Sequence, residues 1–223
     1  MKVLDLGSGA GANLQALAPL LPKPQQWLLV DNDPDLLARV PAVQDVQVSK
    51  RAADLATDLD PLFDTPPTLV TASAVFDLCG PDLTDAVVAH TLGAGAAFYT
   101  VLTYDGRESW EPGHPFDRDV LDAFHNDQRR DKGLGPALGP DATQYLTDAF
   151  RAAGYRVFIR SSDWDLRRPN DAGTIVAMAN GHSEVASSSL GAQAADWRQA
   201  QAATTRWVVG HQDLLALPPD WID

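Results

Sequence analysis

Apolar positions along this chain fall into two rhythms that take turns. Short apolar runs, "KVLDL" at 2–6, "WLLV" at 27–30 and "TLVTASAV" at 68–75, have the length and branched content of buried strands. Between them, "NLQALAPLL" (13–21), "PDLLARV" (34–40) and "PDLTDAVVAHTL" (81–92) read as helices. Pro34 suits a first helical turn, and Asp82 is expected to cap the helix over 81–92. "VQVS" (46–49) and "AAFYTVLTY" (96–104) add two strands, and "DATQYLTDAFRAAG" (141–154) a helix that stops on Gly154. "YRVFIR" (155–160) and "TIVAMAN" (174–180) are read as two further strands. Alternation of this kind predicts right-handed crossovers and an α/β fold: a doubly wound, mostly parallel sheet with helices on both faces.

Two stretches break the rhythm. Residues 105–140 are rich in Gly, Pro and charge, with one short helix expected around "DRDVLDAFHNDQ". A connection that long is uncommon in a compact domain, so it reads as a lid or substrate insertion after the fifth strand. Beyond 180, "AQAADWRQAQAATTRWVV" (192–209) reads as an appended C-terminal helix, because Trp197, Gln201, Thr204 and Val208 share one helical face. The expected organisation is one domain over 1–180, with a helical extension over 181–223 packed on it.

Composition narrows the function. The 223-residue chain carries 30 acidic and 17 basic residues, a formal charge of -13. That field repels phosphate polyanions and argues against nucleic acid as a partner. A single cysteine, Cys79, cannot form an internal disulfide and fits a reducing, cytoplasmic setting. No apolar run has the length of a membrane span, and "LDLGSGAG" interrupts any signal-peptide core at the start. His114, His125, His182 and His211 lack metal-ligand spacing, so no metal site is expected.

The informative chemistry is "VLDLGSGAGANL", Val3 to Leu14. Gly7, Gly9 and Gly11 stand between a strand and a helix, where the backbone can approach a ligand and a helix terminus offers free N–H groups. Asp31 ends the second strand about twenty residues on, the place where a carboxylate meets ribose hydroxyls. The glycines alone also satisfy a dinucleotide fingerprint, so an NAD-dependent reductase stays open at this point. It lacks a Tyr-x-x-x-Lys pair and leaves Asp5 and Asp54 without a role.

With Asp5 two residues before the first glycine, "VLDLGSGAG" resembles the first motif of class I S-adenosylmethionine-dependent methyltransferases. "LLVDNDP" is similar to that family's second motif, "AADLATDL" to its third, and "TLVTASAVFDL" stands at its fourth. "TYDGR" and "RRDKGLGPALGPDA" resemble a poorly characterised bacterial branch of the family. The resemblance covers residues 2 to about 180 and implies a Rossmann-like, seven-stranded sheet whose late antiparallel hairpin is "YRVFIR" with "TIVAMAN". It implies S-adenosyl-L-methionine as cofactor. Gly7, Gly9 and Gly11 would cradle its methionine part, and Asp5 would orient the amino group. Asp31, with Asn32 beside it, would hold the ribose, and Asp54 with Leu55 the adenine. Ser73 and Ala74 would lie beside the methionyl carboxylate and sulfonium. Asp54 could instead cap a short helix, and Asp33 reads as a cap before Pro34. The family's helices before the first motif have no counterpart here. Either the chain is trimmed, or the insertion and C-terminal helix cover the cofactor.

Methyl transfer needs an aligned nucleophile and, where necessary, a base. The resemblance and positions at strand ends make Tyr104, His125 and Asp77 the catalytic candidates, with His114, Arg129 and Arg130 on the substrate. Asp77 could equally cap the next helix, and "RRDK" could be a solvated face. Arg129, Arg130 and Lys132 together suggest a clamp for an anionic acceptor. The Asp/Asn-Pro-Pro-aromatic pattern of nucleobase methylation is replaced by "SAVFDL", which favours a small-molecule acceptor, O- or N-methylated. A cofactor-binding but inactive subunit of a complex remains the third reading.

Overall fold

A computed structural model describes residues 1–221. The strands that the apolar runs predict are present: β1 (Lys2–Leu6), β2 (Gln25–Asp31), β3 (Val46–Ala52), β4 (Leu69–Ser73) and β5 (Ala97–Glu111). They pair in parallel in the order β3-β2-β1-β4-β5. Helices α1 (Ala12–Leu17), α2 (Pro34–Ala38) and α3 (Pro81–Gly93) make the crossovers. Because the chain leaves β1 for β2 on one side and returns as β4 on the other, the sheet switches direction at β1. Ligands of open α/β sheets bind at the carboxyl end of that point.

The sheet is completed by antiparallel strands. β6 (Arg156–Ser161) and β7 (Trp164–Arg167) both pair with a long last strand, β8 (Arg206–Leu217), which lies between β5 and β6. β6 and β7 run end to end along β8, so the eight strands occupy seven sheet positions. The mostly parallel, seven-position architecture matches the expectation, whereas the identity of the late antiparallel partner does not.

"TIVAMAN" is not a strand. It lies in α6 (Ala172–Leu190), whose buried residues Ile175, Ala179, His182, Ser183 and Ala186 follow helical spacing straight through Gly181. Three consecutive residues, Thr174 to Val176, suggested a strand, but only the middle one is buried. The expected helix over 192–209 is also corrected. It ends at Ala200 as α7 (Ala192–Ala200), followed by a 3-10 turn and then β8. Trp197, Gln201 and Thr204 are buried as expected, but they lie on α7 and the turn after it rather than on one helical face, and Val208 lies in β8 and is only partly buried. The hydroxyl of Thr204 donates to Gln201 Oε1 in that turn. The aromatic and β-branched run "TTRWVV" belongs to the sheet, as its composition would favour.

The insertion expected over 105–140 begins later, because residues 105–111 continue β5 and pair with β8; beyond them α4 (Asp117–Gln128) lies where it is expected, and α5 (Ala142–Ala152) follows. Asp82 does not cap α3. That role falls to Gly80, where a Cβ would stand 3.0 Å from the Leu134 carbonyl and 3.1 Å from Gly135 Cα. Gly80 thus allows the segment 131–138 to lie flat on the main domain, pinned by Gly80 N to Leu134 O (2.7 Å) and Leu138 N to Cys79 O (2.8 Å).

β5 and β8 continue past the end of β4 and carry a second core. Trp110, Trp197 and Trp207 meet edge-on or tilted at 5.2–6.0 Å between ring centres, packed with Val120, Ile175 and Ala186. Such pairs add about 0.5–1.5 kcal/mol each beyond area burial. Two irregularities in β5, between Thr100 and Thr103 and between Tyr104 and Glu108, re-aim its side chains as it leaves the parallel sheet.

Candidate active site

The turn after β1 has a backbone that side chains resist. Gly7, Gly9 and Gly11 have φ of 61, 52 and 80°. A Cβ on Gly7 would stand 2.6 Å from Val75 Cγ2, and one on Gly11 2.9 Å from Val40 Cγ1. Gly7 and Gly11 are therefore needed for packing inside the protein. Gly9 differs: nothing lies within 4 Å of its Cβ position, which leaves its side open for close approach.

Asp31, at the carboxyl end of β2, accepts from Gly9 N (2.7 Å) and from Asp33 N (3.0 Å). Its carboxylate is thereby fixed against the glycine turn. Asp33 caps α2, accepting from Asp35 N and Leu36 N, as its place before Pro34 predicts. Asp54 is exposed and accepts from Ala56 N (2.9 Å) in a local turn, not a helix. Gly7, Asp31, Asn32, Asp54, Leu55 and Ala74 line one cavity of about 230 Å³. Ala74 takes φ 55°, a left-handed conformation costly for a residue with a Cβ, directly after Ser73 ends β4. Leu134 also lines this cavity, reaching it from the insertion. Nothing in the sequence marks Leu134 beyond its glycine neighbours.

Asp5 is fully buried. Its Oδ1 accepts from Asn13 Nδ2 (3.1 Å), whose amide also donates to Thr71 Oγ1 (2.8 Å). Among the described residues its Oδ2 has no partner, and neither does the buried Ser8 Oγ. Burial pushes the Asp5 carboxyl up to about 7; the Asn13 bond opposes this and repulsion from Asp31 adds to it. An orphaned carboxylate oxygen in a dry position is costly without a donor or cation. These atoms fit a ligand that brings both.

The acceptor-side candidates separate into two groups. Tyr104 and His125 come together, with Asp77 bonded to neither among the described residues. Tyr104 Oη lies 3.0 Å from His125 Nε2, and Asp77 is close enough to act electrostatically on the phenol. Asp77 is buried in the turn after β4, and its Oδ2 accepts from Gln128 Nε2 of α4 (3.2 Å). Among the described residues Asp77 Oδ1 and Gln128 Oε1 have no partner. Burial raises the Asp77 carboxyl to about 6, opposed by a backbone bond and by Gln128. It does not cap α3, which Gly80 precedes.

The other group stands apart. His114 precedes α4 and lies 3.8 Å from Asp196 of α7, beyond the opposite end of the helix from His125. Arg129 pairs with Asp141 (3.2 Å), while Arg130 (3.0 Å) and Lys132 (2.9 Å) share Asp127. The three cations expected to form an anion clamp are each paired with a nearby carboxylate, Asp127 within the insertion or Asp141 just after it. Glu108 and His182, which the sequence reading did not single out, are buried beside Tyr104 and bonded to each other at 3.0 Å.

No protein-family model and no curated protein matches the sequence. Solved structures do match in shape. A cyclopropane-fatty-acyl-phospholipid synthase-like protein from Lactobacillus casei superposes with a TM-score of 0.61 at 13% identity, over 97% of this chain and 84% of that one. A candidate methyltransferase from Bacillus halodurans gives 0.56 at 13% identity, over 98% and 92%. The mycolic acid cyclopropane synthase CmaA1, in complex with SAH, gives 0.52 at 13% identity, over 97% and 78%. The chain has the fold of these methyltransferase-like proteins. Its central sheet, switch point and glycine turn are those the sequence resemblance implies. Among the described residues, no helix is long and apolar enough to cross a membrane.

Proposed function

We propose that the chain is an S-adenosyl-L-methionine-dependent methyltransferase whose acceptor is a small molecule bearing an N–H or O–H group. The observation that carries this reading is the pair of orphaned buried atoms, Asp5 Oδ2 and Ser8 Oγ, flanking a left-handed glycine turn that is open at Gly9. The methionyl ammonium of the cofactor supplies the charge and the donors that Asp5 lacks. Asp31 takes the ribose hydroxyls, Asp54 and Leu55 the adenine, and Asn32 lines the wall between them. Ser73 and Ala74 border the methionyl end. Bound there, the cofactor supplies a methyl carbon already activated by its sulfonium. SAH in the CmaA1 neighbour supports the same choice of ligand.

The remaining work of the chain is to align the acceptor and take its proton. We assign that work to Tyr104, His125 and Asp77, and residues 112–140, between β5 and α5, form the acceptor-side insertion of the domain. Asp77 Oδ1 and Gln128 Oε1 are both acceptors without donors, which favours an incoming N–H or O–H. An anionic acceptor held by Arg129 or Arg130 loses its support, because those guanidiniums are already paired. The net charge of -13 favours a small molecule over a nucleic acid.

Turnover with methyl-labelled cofactor against amines, phenols and carboxylates tests the reading. Labelled product on an amine or phenol, with equal S-adenosylhomocysteine, is expected. Product on carboxylates alone overturns the donor argument. No product despite S-adenosylhomocysteine binding assigns the inactive-subunit role instead.

A further inference from the structure

The second core contains a chain of polar groups that neither hydrophobic packing nor cofactor binding requires. Glu108 projects from the irregular part of β5, and its side chain is 1% exposed. Its Oε1 accepts from Tyr104 Oη (2.9 Å) and from His182 Nε2 (3.0 Å), and its Oε2 from Trp207 Nε1 (2.7 Å). An indole N–H can only donate, so three donors converge on this carboxylate.

His182 is held at both ring nitrogens. Its Nδ1 faces the Met178 carbonyl at 3.0 Å and its Nε2 faces Glu108. A carboxylate can only accept, so Nε2 carries a proton and donates to Glu108. Phe124 stacks on this ring at 4.1 Å and seals the pair from water.

Proton directions then follow outward. Tyr104 gives its O–H to Glu108, so its oxygen presents a lone pair to His125 Nε2 at 3.0 Å. His125 Nε2 must donate. Its Nδ1 makes no hydrogen bond among the described residues and keeps the basic lone pair. His125 is half-buried and lines a cavity of about 590 Å³ between β5 and α4.

We propose that Glu108 is a positioning residue: acting through Tyr104, it holds His125 as the Nε2–H tautomer, so that Nδ1 is the atom that removes the acceptor's proton. The inference rests on the methyl-transfer reading for the step itself, in which the acceptor's proton passes to Nδ1 as its heteroatom takes the methyl group. The arrangement of the histidine stands independently of that reading. Burial holds the His125 imidazole below its ordinary value, with Arg129 and His182 acting in the same direction. Glu108 and Asp122 act the other way, and the ring is neutral near pH 7.

The test reads the histidine before it reads the reaction. Two-bond ¹H–¹⁵N spectra at pH 8 should show His125 protonated on Nε2 in the native chain. In Glu108→Gln the new amide can donate to Tyr104, whose hydroxyl then donates to His125 Nε2, so the proton should move to Nδ1. Tyr104→Phe leaves Glu108 with His182 and Trp207 and should also abolish the Nε2–H preference. Both variants should lose about 10–100-fold in kcat with unchanged S-adenosylhomocysteine affinity, the scale of a misplaced general base. A native Nδ1–H tautomer, a tautomer indifferent to both changes, or a switched tautomer with unchanged turnover would each overturn the proposal. Failure of the native chain to bind S-adenosylhomocysteine is a separate outcome, and it sinks the methyl-transfer reading.

Discussion

Asp5→Asn should give a chain that is more stable than the native one at pH 8 and yet binds S-adenosylhomocysteine poorly. Burial raises the Asp5 carboxyl from 3.8 to about 7. Between roughly pH 4 and 7 the folded chain therefore keeps a proton that the unfolded chain has released. Stability falls as pH rises through that window, and the full cost of the buried charge is present above about 7. At about 1.4 kcal/mol per unit the upper bound is on the order of 4 kcal/mol. Asparagine carries no charge, keeps an oxygen for Asn13, and removes that cost. For a chain of this size each kcal/mol moves Tm by about 2–4 °C, so a rise of several degrees is expected at pH 8 and almost none at pH 4. The lost charged hydrogen bond should weaken S-adenosylhomocysteine by about 1.5–3 kcal/mol. Native affinity should itself decline below pH 7 as Asp5 becomes protonated. Calorimetric binding and thermal unfolding at both pH values check this. A destabilised variant with native affinity would remove Asp5 from the site.

Trp207→Ala should be among the most damaging single changes outside the parallel sheet. Trp207 is fully buried in β8, packs edge-on or tilted against Trp110 and Trp197, and donates to Glu108. Truncating a buried tryptophan costs about 3–5 kcal/mol through lost burial and the cavity left behind. Removing one of the three donors to a buried carboxylate adds to that cost. The total is a large share of the roughly 5–15 kcal/mol available to an ordinary domain. A sharp drop in the urea midpoint is expected, with loss of ordered His182 signals. If 181–223 were a loosely appended helix, the change would cost little, and a shift under about 0.5 kcal/mol would contradict the packing described here.

Much of the parallel half was legible because local rules suffice there. β1, β2 and β4 are short apolar runs, α4 matches its expected bounds, and the glycine turn stands between β1 and α1 as its spacing implies. The antiparallel half was misread where local preference and long-range packing disagree. Residues 174–176 favour a strand in isolation, but the helical spacing from Ile175 to Ala186 buries against α4 and α7, and tertiary contact wins. Thr204 and Val208 satisfied helical spacing by coincidence. The site follows the same division. Asp5, Gly7, Asp31 and Ala74 lie at strand ends, where position implies proximity. Glu108 and His182 are 74 residues apart and meet only because β5 runs past the sheet beneath α6. The basic cluster was misjudged differently. Asp127 lies three residues before Arg130 and five before Lys132, close enough to neutralise both, so the local charge balance was readable all along.

Titration calorimetry of the native chain with S-adenosylhomocysteine, and separately with NADH, at pH 8 tests the central claim most directly. The account predicts saturable binding of one S-adenosylhomocysteine per chain and no heat with NADH. Binding of NADH in its place, or of neither ligand, would contradict it.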